Sequence, residues 1–227
     1  MPDFSQYTVI ASLITSLVSF GTLINVTKQR VTANRPDIYI KSTTFKMKIA
    51  QPNKLPSLYD DKQPEKFSLP IYNIGLGTAK NIKIKWDFNE DFLQQTVLLD
   101  KDNDFFLENS IKQNGDKTLE IKGGQFNSLI RLNADLIQEI DFILPYKSDN
   151  DASAVLQIPY SIDKLFGIYV ELCVKHKKLD ELLKQNFSFD VDFKDVHNKK
   201  YTKRFNVKYN ITYILDKKDV QGYIKIL

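Results

Sequence analysis

The chain of 227 residues has one cysteine, one tryptophan, two methionines and two histidines. A lone thiol, Cys173, closes no internal disulfide, which excludes a stapled secreted scaffold and fits a reducing cytoplasm. Cys173 and His176 stand one helical turn apart, but only His197 remains as a further nitrogen donor, too few ligands for a structural zinc site. A Cys–His nucleophile pair lacks an orienting partner. Gly75-Leu76-Gly77 lacks the third glycine and the helix start that a dinucleotide loop needs. The paired acids Asp190/Asp192 and Asp149/Asp151 read as turns and solvated strand faces. The expectation is no catalytic residue, no metal and no cofactor.

Charge is missing from one stretch altogether. Tyr7–Val26 is a 20-residue run without a single charged side chain. As a helix it is about 30 Å long, the thickness of a bilayer's hydrocarbon core. Thr8, Ser12, Thr15, Ser16, Ser19, Thr22 and Asn25 dilute it, and the hydroxyls are expected to bond back to carbonyls one turn earlier. Ala11, Thr15, Ser19 and Thr22 form a stripe of small residues suited to self-association of the helix, a homo-oligomer. Only Asp3 precedes the run, whereas Lys28, Arg30 and Arg35 follow it as a basic membrane flank. That asymmetry predicts a single-pass anchor in the cell membrane with the N-terminus outside and the main domain cytoplasmic. The alternative is a signal peptide cleaved at Ala33 and an exported domain, against which the basic residues stand on the wrong side.

The chain therefore divides into residues 1–35, anchor and basic flank, and residues 36–227, one folded domain. The domain is rich in Phe and Tyr, a folding composition. Its charge is polarised. From Asp87 to Glu120 nine acids face three lysines; from Lys175 to Lys208 ten Lys and Arg face five acids. Such asymmetry bears on partners and says nothing of fold.

Alternation predicts strands over Asp37–Ile49, Phe67–Ile74 (Pro70 marking an edge or bulge), Ala79–Phe88, Thr118–Lys122, Phe126–Leu132, Glu139–Leu144 and Ala154–Ile158. Residues 51–65 read as a loop. Ser161 is the expected cap of a helix carrying Ile162, Leu165, Phe166, Tyr169 and Cys173, with a further turn at Leu179–Leu183. Phe187–Phe193 and Tyr201–Ile214 read as a long hairpin around 194–200. Many short strands at this rhythm predict a mainly β domain of β-sandwich type with one or two short helices.

Residues Asn73-Ile-Gly-Leu-Gly-Thr-Ala-Lys-Asn81, followed by the alternating Ile82–Trp86, resemble the strand–turn–strand core of bacterial Ig-like modules of the CARDB type. That resemblance implies an Ig-like sandwich in which the asparagine and glycines shape the turn, and it carries no activity. Such modules are usually exported, whereas the flanks here place the domain inside.

The hairpin is the most suggestive stretch for function. Lys199, Lys200, Lys203, Arg204 and Lys208 fall in ten residues without an acid. Tyr201, Phe205, Tyr209 and Tyr213 share one strand face, opposite Thr202, Arg204, Asn206 and Lys208. Cations attract phosphates, and exposed aromatics stack on unpaired bases. Alternation equally assigns the aromatics to the core and the cations to ordinary solvated surface; the basic face would still meet RNA, DNA or anionic lipid headgroups. The architecture of anchor, basic flank and β-rich domain is similar to that of the membrane-anchored abortive-infection (AbiP-like) phage-resistance proteins. This resemblance implies a tethered cytoplasmic domain that binds single-stranded RNA or DNA without sequence preference. The alternative is a membrane-tethered Ig-like module that holds an unidentified protein partner and binds no nucleic acid.

Overall fold

The computed structural model describes residues 4–51, 54–59, 67–102, 104–105, 107–111, 117–123, 126–132, 135–147, 154–182, 186–216 and 218–227. Asp149/Asp151, Leu183 and most of the loop expected at 51–65 lie outside them. In chain order the elements are α1 (Phe4–Ala33), β1 (Ile38–Ile40), β2 (Thr43–Lys48), β3 (Leu58–Tyr59), β4 (Ser68–Asn73), β5 (Ala79–Asp87), α2 (Glu90–Leu99), β6 (Leu107–Ile111), β7 (Lys117–Gly123), β8 (Phe126–Arg131), β9 (Ile137–Ile143), β10 (Ala154–Gln157), α3 (Tyr160–Lys175), α4 (Leu179–Leu182), β11 (Asn186–Lys194), β12 (Lys200–Leu215) and β13 (Asp219–Ile226).

Seven strands form a curled antiparallel sheet in the order β3-β2-β13-β12-β11-β5-β9. Its inner face follows from period-2 alternation. Ile82, Ile84 and Trp86 of β5 are buried while Lys83 and Lys85 face out. Phe189 of β11 lies opposite Trp86 on one side and Phe205 on the other. The three rings make a row across the strands, with centroids 4.6 and 5.3 Å apart. Two three-stranded sheets, β1-β4-β10 and β6-β7-β8, complete the β structure.

The domain is mainly β, as expected, but its core is not formed by strands alone. α3 has ten buried residues. A helix apolar nearly all round has to be enclosed. Phe166 stacks on Tyr209 of β12 with centroids 3.9 Å apart, and the rings of Phe45 and Phe187 meet it edge-on. The helix starts one residue before the expected cap. Pro159 holds the N-cap position without a side-chain bond, and Ser161 is buried in the first turn.

Three further expectations change. Asp37–Ile49 is two strands in different sheets, because β1 pairs with β4 and β2 pairs with β13. β4 is the middle strand of its sheet, yet Pro70 lies beyond the last residue that pairs with β1, so the missing N–H interrupts no ladder there. Alternation does not predict α2, β3, β6 or β13, and β3 lies within the stretch expected as a loop at 51–65. The signal for α2 was present: Asn89 caps it by accepting the N–H of Phe92 at 3.2 Å, and Glu90 and Asp91 follow in the first turn.

α1 is 30 residues long, and every described side chain from Val9 to Thr32 is exposed. Thr15, Ser16, Thr22 and Thr27 donate their hydroxyls to the carbonyls of Ala11, Ser12, Val18 and Leu23 at 2.8–2.9 Å, as expected for hydroxyls in a helix. Among the described residues no helix is long and apolar enough to cross a membrane. The side chains of residues 4–8 and 10, where the uncharged run begins, lie outside those described.

Candidate functional site at the junction of helix and hairpin

Asn73, Arg35, Tyr201, Lys199 and Lys203, among the side chains singled out in the sequence, converge where α1 enters the domain. Asn73, fully buried at the end of β4, organises this junction. Its Nδ2 donates to the carbonyls of Gly77 at 2.7 Å and Ile143 at 3.1 Å. Its Oδ1 accepts the N–H of Gly75 at 3.1 Å and of Asp37 at 3.0 Å. All four capacities of a buried amide used here are met, which is what burial of such a group demands. The turn 74–78 is thereby closed on itself and fastened to the segment that leaves α1.

The glycines are required by close backbone contact. A Cβ on Gly77 would stand 1.8 Å from the carbonyl oxygen of Asn34, and one on Gly75 would stand 2.2 Å from that of Arg35. Only glycine lets the Asn34–Asp37 backbone lie so close. Ile74 returns an N–H to the carbonyl of Asp37 at 2.8 Å.

The hairpin reaches the same segment from the other side. The Arg35 guanidinium lies over the Tyr201 ring at 4.7 Å, and the Lys199 ammonium lies 5.6 Å from the same centroid. Lys203 Nζ donates to Asp37 Oδ1 at 3.0 Å and to the carbonyl of Ile38 at 2.8 Å. Beneath the hairpin turn, Asp195 is buried and accepts the N–H groups of His197 at 2.8 Å and Lys199 at 2.9 Å and the Tyr201 hydroxyl at 3.0 Å. Desolvation opposes its charge, but the Lys199 N–H, the Tyr201 hydroxyl and the His197 N–H outweigh it and hold the carboxyl below its ordinary range. Burial, and then the bond to Asp195, push the Tyr201 hydroxyl upward.

The five cations of the hairpin therefore do not form one patch. Lys203 points to the inner side and is bound to Asp37. Arg204, on the outer face, is paired with Asp87 and bonded to Ser188 at 2.8 Å, and stands 3.6 Å from Asp190. Lys208 lies opposite Lys225 on β13, at the far side of the sheet from the turn. Lys199 and Lys200 remain exposed at the turn. Phe205 and Tyr209 are buried and Tyr201 is half-buried against Phe193, so of the expected aromatic face only Tyr213 is open.

Alternation along single strands concealed a second feature. Lys80 of β5, Lys194 of β11 and Lys200 of β12 are neighbours across three adjacent strands. Like charges opposite one another destabilise a sheet. Among the described residues no acid pairs with any of the three. The signal for this row is visible only once the register is known. Lys194 and Lys200 border a shallow cleft of ≈ 490 Å³ whose next rows carry Lys83, Asp141 and Asp192.

Elsewhere the chemistry stays structural. Cys173 is fully buried, and desolvation pushes its thiol up to about 12. Asp102, Asp104 and His176 bring ligand atoms within 4.8 Å of one another. Lys175 already sits on both carboxylates, 3.0 Å from that of Asp102, and its hydrogen bond holds the Asp102 carboxyl low. Lys28 and Arg30 are exposed in the last turns of α1, just before the junction.

Comparison with models of protein families, with curated proteins and with solved structures finds no match to this chain. The junction is thus read on its own chemistry.

Proposed function

We propose that the chain is a single-pass, membrane-tethered binding module without catalytic chemistry, its β domain held on the cytoplasmic side. The carrying observation is α1: Leu13, Ile14, Leu17, Val18, Phe20, Leu23 and Ile24 are all exposed along a helix that carries no charge from Val9 to Val26. So much open apolar surface requires a covering medium. The apolar residues are not confined to one stripe, which suits lipid on all sides better than a groove on one partner. Three of the hydroxyls that lower the hydropathy of the run, those of Thr15, Ser16 and Thr22, are already bonded within the helix. Lys28, Arg30 and Arg35 follow on the side expected to stay inside.

A tethered interaction module has better support than a binder of single-stranded nucleic acid. Of the rings that would stack on bases, Phe205 and Tyr209 are used in the core and Tyr201 is half-buried against Phe193, and Lys203 and Arg204 are used in ion pairs. The expected outcome for the full chain expressed in a bacterial membrane is retention in the pellet after alkaline carbonate and release by detergent. Protease added to right-side-out cells should leave the β domain intact. Release by carbonate alone would refute the tether; digestion from outside would refute the orientation.

A further inference from the structure

We infer that the end of the β domain beside α1 is itself a membrane-contact face, resting on the phosphates of anionic lipid headgroups. This deepens the tether reading and depends on it. Three observations meet at this end. The first is position: the turn 74–78 and the Asn34–Asp37 segment are in backbone contact, so the turn is held directly at the base of the helix. From Val26 to Ala33 the helix descends about 10 Å. The headgroup layer is about 5–7 Å deep, which leaves the turn within one Debye length of it, about 8 Å.

The second observation is charge. Arg35 and Lys199 flank the Tyr201 ring, and the row Lys80, Lys194 and Lys200, which no acid among the described residues pairs, begins immediately after the turn, at the start of β5; Lys80 donates only to the carbonyl of Val196, at 3.4 Å. Of the acids at this end, Asp37 is paired with Lys203 and Asp195 is buried under the hairpin turn, while Asp141 and Asp192 are exposed in the next rows of the cleft. Arg35, Lys80, Lys194, Lys199 and Lys200 outnumber these two acids, so the net charge of this end is positive. A repulsive lysine row is offset when an anionic surface supplies the counter-charge. The third is apolar exposure. Ile74 and Leu76 stand 55% and 70% exposed at the tip of the turn, and Tyr146, whose N–H is held by the carbonyl of Asn73, is exposed beside them. Aliphatic and tyrosine side chains next to cations suit the boundary between headgroups and water.

The test uses the full chain reconstituted in vesicles, with single cysteines carrying an environment-sensitive dye. Cys173 is buried and stays unlabelled. Leu76→Cys reports the proposed face, Leu129→Cys, on β8, reports a remote surface, and Ile14→Cys reports α1. Vesicles of phosphatidylcholine, with or without phosphatidylglycerol, carry nitroxide on either headgroup or acyl chain. The expected result is strong headgroup quenching at position 76, rising with phosphatidylglycerol and falling with salt, and little at position 129. Lys199→Glu with Lys200→Glu should lower the ratio of contacting to free domain about fivefold or more per charge. Acyl-chain quenching at position 14 without any headgroup quenching at position 76 would overturn the contact face and leave the tether standing. Quenching at neither position would overturn both. Quenching at 76 that is indifferent to lipid charge, or abolished by competing unstructured RNA at matched salt, would overturn the assignment to anionic lipid.

Discussion

The Oδ1 of Asn73 accepts the backbone N–H of Asp37 at 3.0 Å, across 36 residues of sequence. Through this bond a turn in the β domain grips the chain as it leaves α1. The helix is consequently not joined by a slack linker: Asn73, Lys203 and Tyr201 hold three successive points of Arg35–Ile38.

Asn73→Ala is expected to cost about 2–4 kcal/mol of folding stability, because it orphans two carbonyls and two N–H groups at a buried site. Asn73→Asp should cost at least as much, since a carboxylate oxygen would then face the Gly77 and Ile143 carbonyls at a fully buried site. Denaturant unfolding of both variants in detergent checks the order. A loss below about 0.5 kcal/mol for the alanine variant, an ordinary surface effect, would show that the clamp contributes little.

Phe166→Ala is expected to be among the most damaging single changes, at about 3–5 kcal/mol, because the cavity would open between α3 and the inner face of the sheet. The Phe166 ring meets Tyr209, Phe45 and Phe187 at once. Thermal unfolding followed by the near-ultraviolet signal of the tyrosines would report it; a change within a degree or two of the parent would contradict a helix-centred core.

Arg204→Glu and Lys200→Glu should differ although both reverse one charge of the same hairpin. The first leaves Asp87 and Asp190 facing a third acid, with an expected loss of roughly 1 kcal/mol or more for this partly exposed group. The second relieves repulsion with Lys194 and Lys80 and should leave stability unchanged or slightly raised. Equal losses would dissolve the distinction between paired and unpaired cations.

Acid should loosen the hairpin turn. The Asp195 carboxyl is held below its unfolded value, so its contribution is present above the ordinary carboxylate range and is lost as pH falls through the lowered folded value. Tyr201, pushed upward, contributes below the ordinary tyrosine range and loses that contribution as pH rises through its folded value. Hydrogen exchange of the Lys199 and His197 amides across pH, corrected for intrinsic rates, should show protection that Asp195→Ala removes. Protection that is identical in the variant would rule out the carboxylate as the organiser of the turn.

In the native state Cys173 should resist thiol reagents at mild alkaline pH and react stoichiometrically on unfolding, because burial raises its thiol to about 12. Rapid reaction of the folded protein would show that α3 opens.

Much of this protein is determined by residue order alone. The charge-free run, its bonded hydroxyls, the basic flank, the alternation of Ile82–Trp86 and the hairpin around 194–200 follow from local periodicity and turn chemistry, which act over a few residues. The apolar run of α3 was legible for the same reason, whereas a turn-shaping role for Asn73 was only what the resemblance to Ig-like modules implied. Tertiary structure decided the rest. Whether α3 would lie on the sheet or inside its curl depends on how the strands order, and β13 enters between β2 and β12 from the far end of the chain. Cations that look equivalent in sequence were divided by register and by neighbours 6 to 166 residues away: Lys203 to Asp37, Arg204 to Asp87, and Lys200 beside Lys194 and Lys80. A cation's effect is set by what stands within a few ångströms of it, and distance in space is what the order of residues does not state.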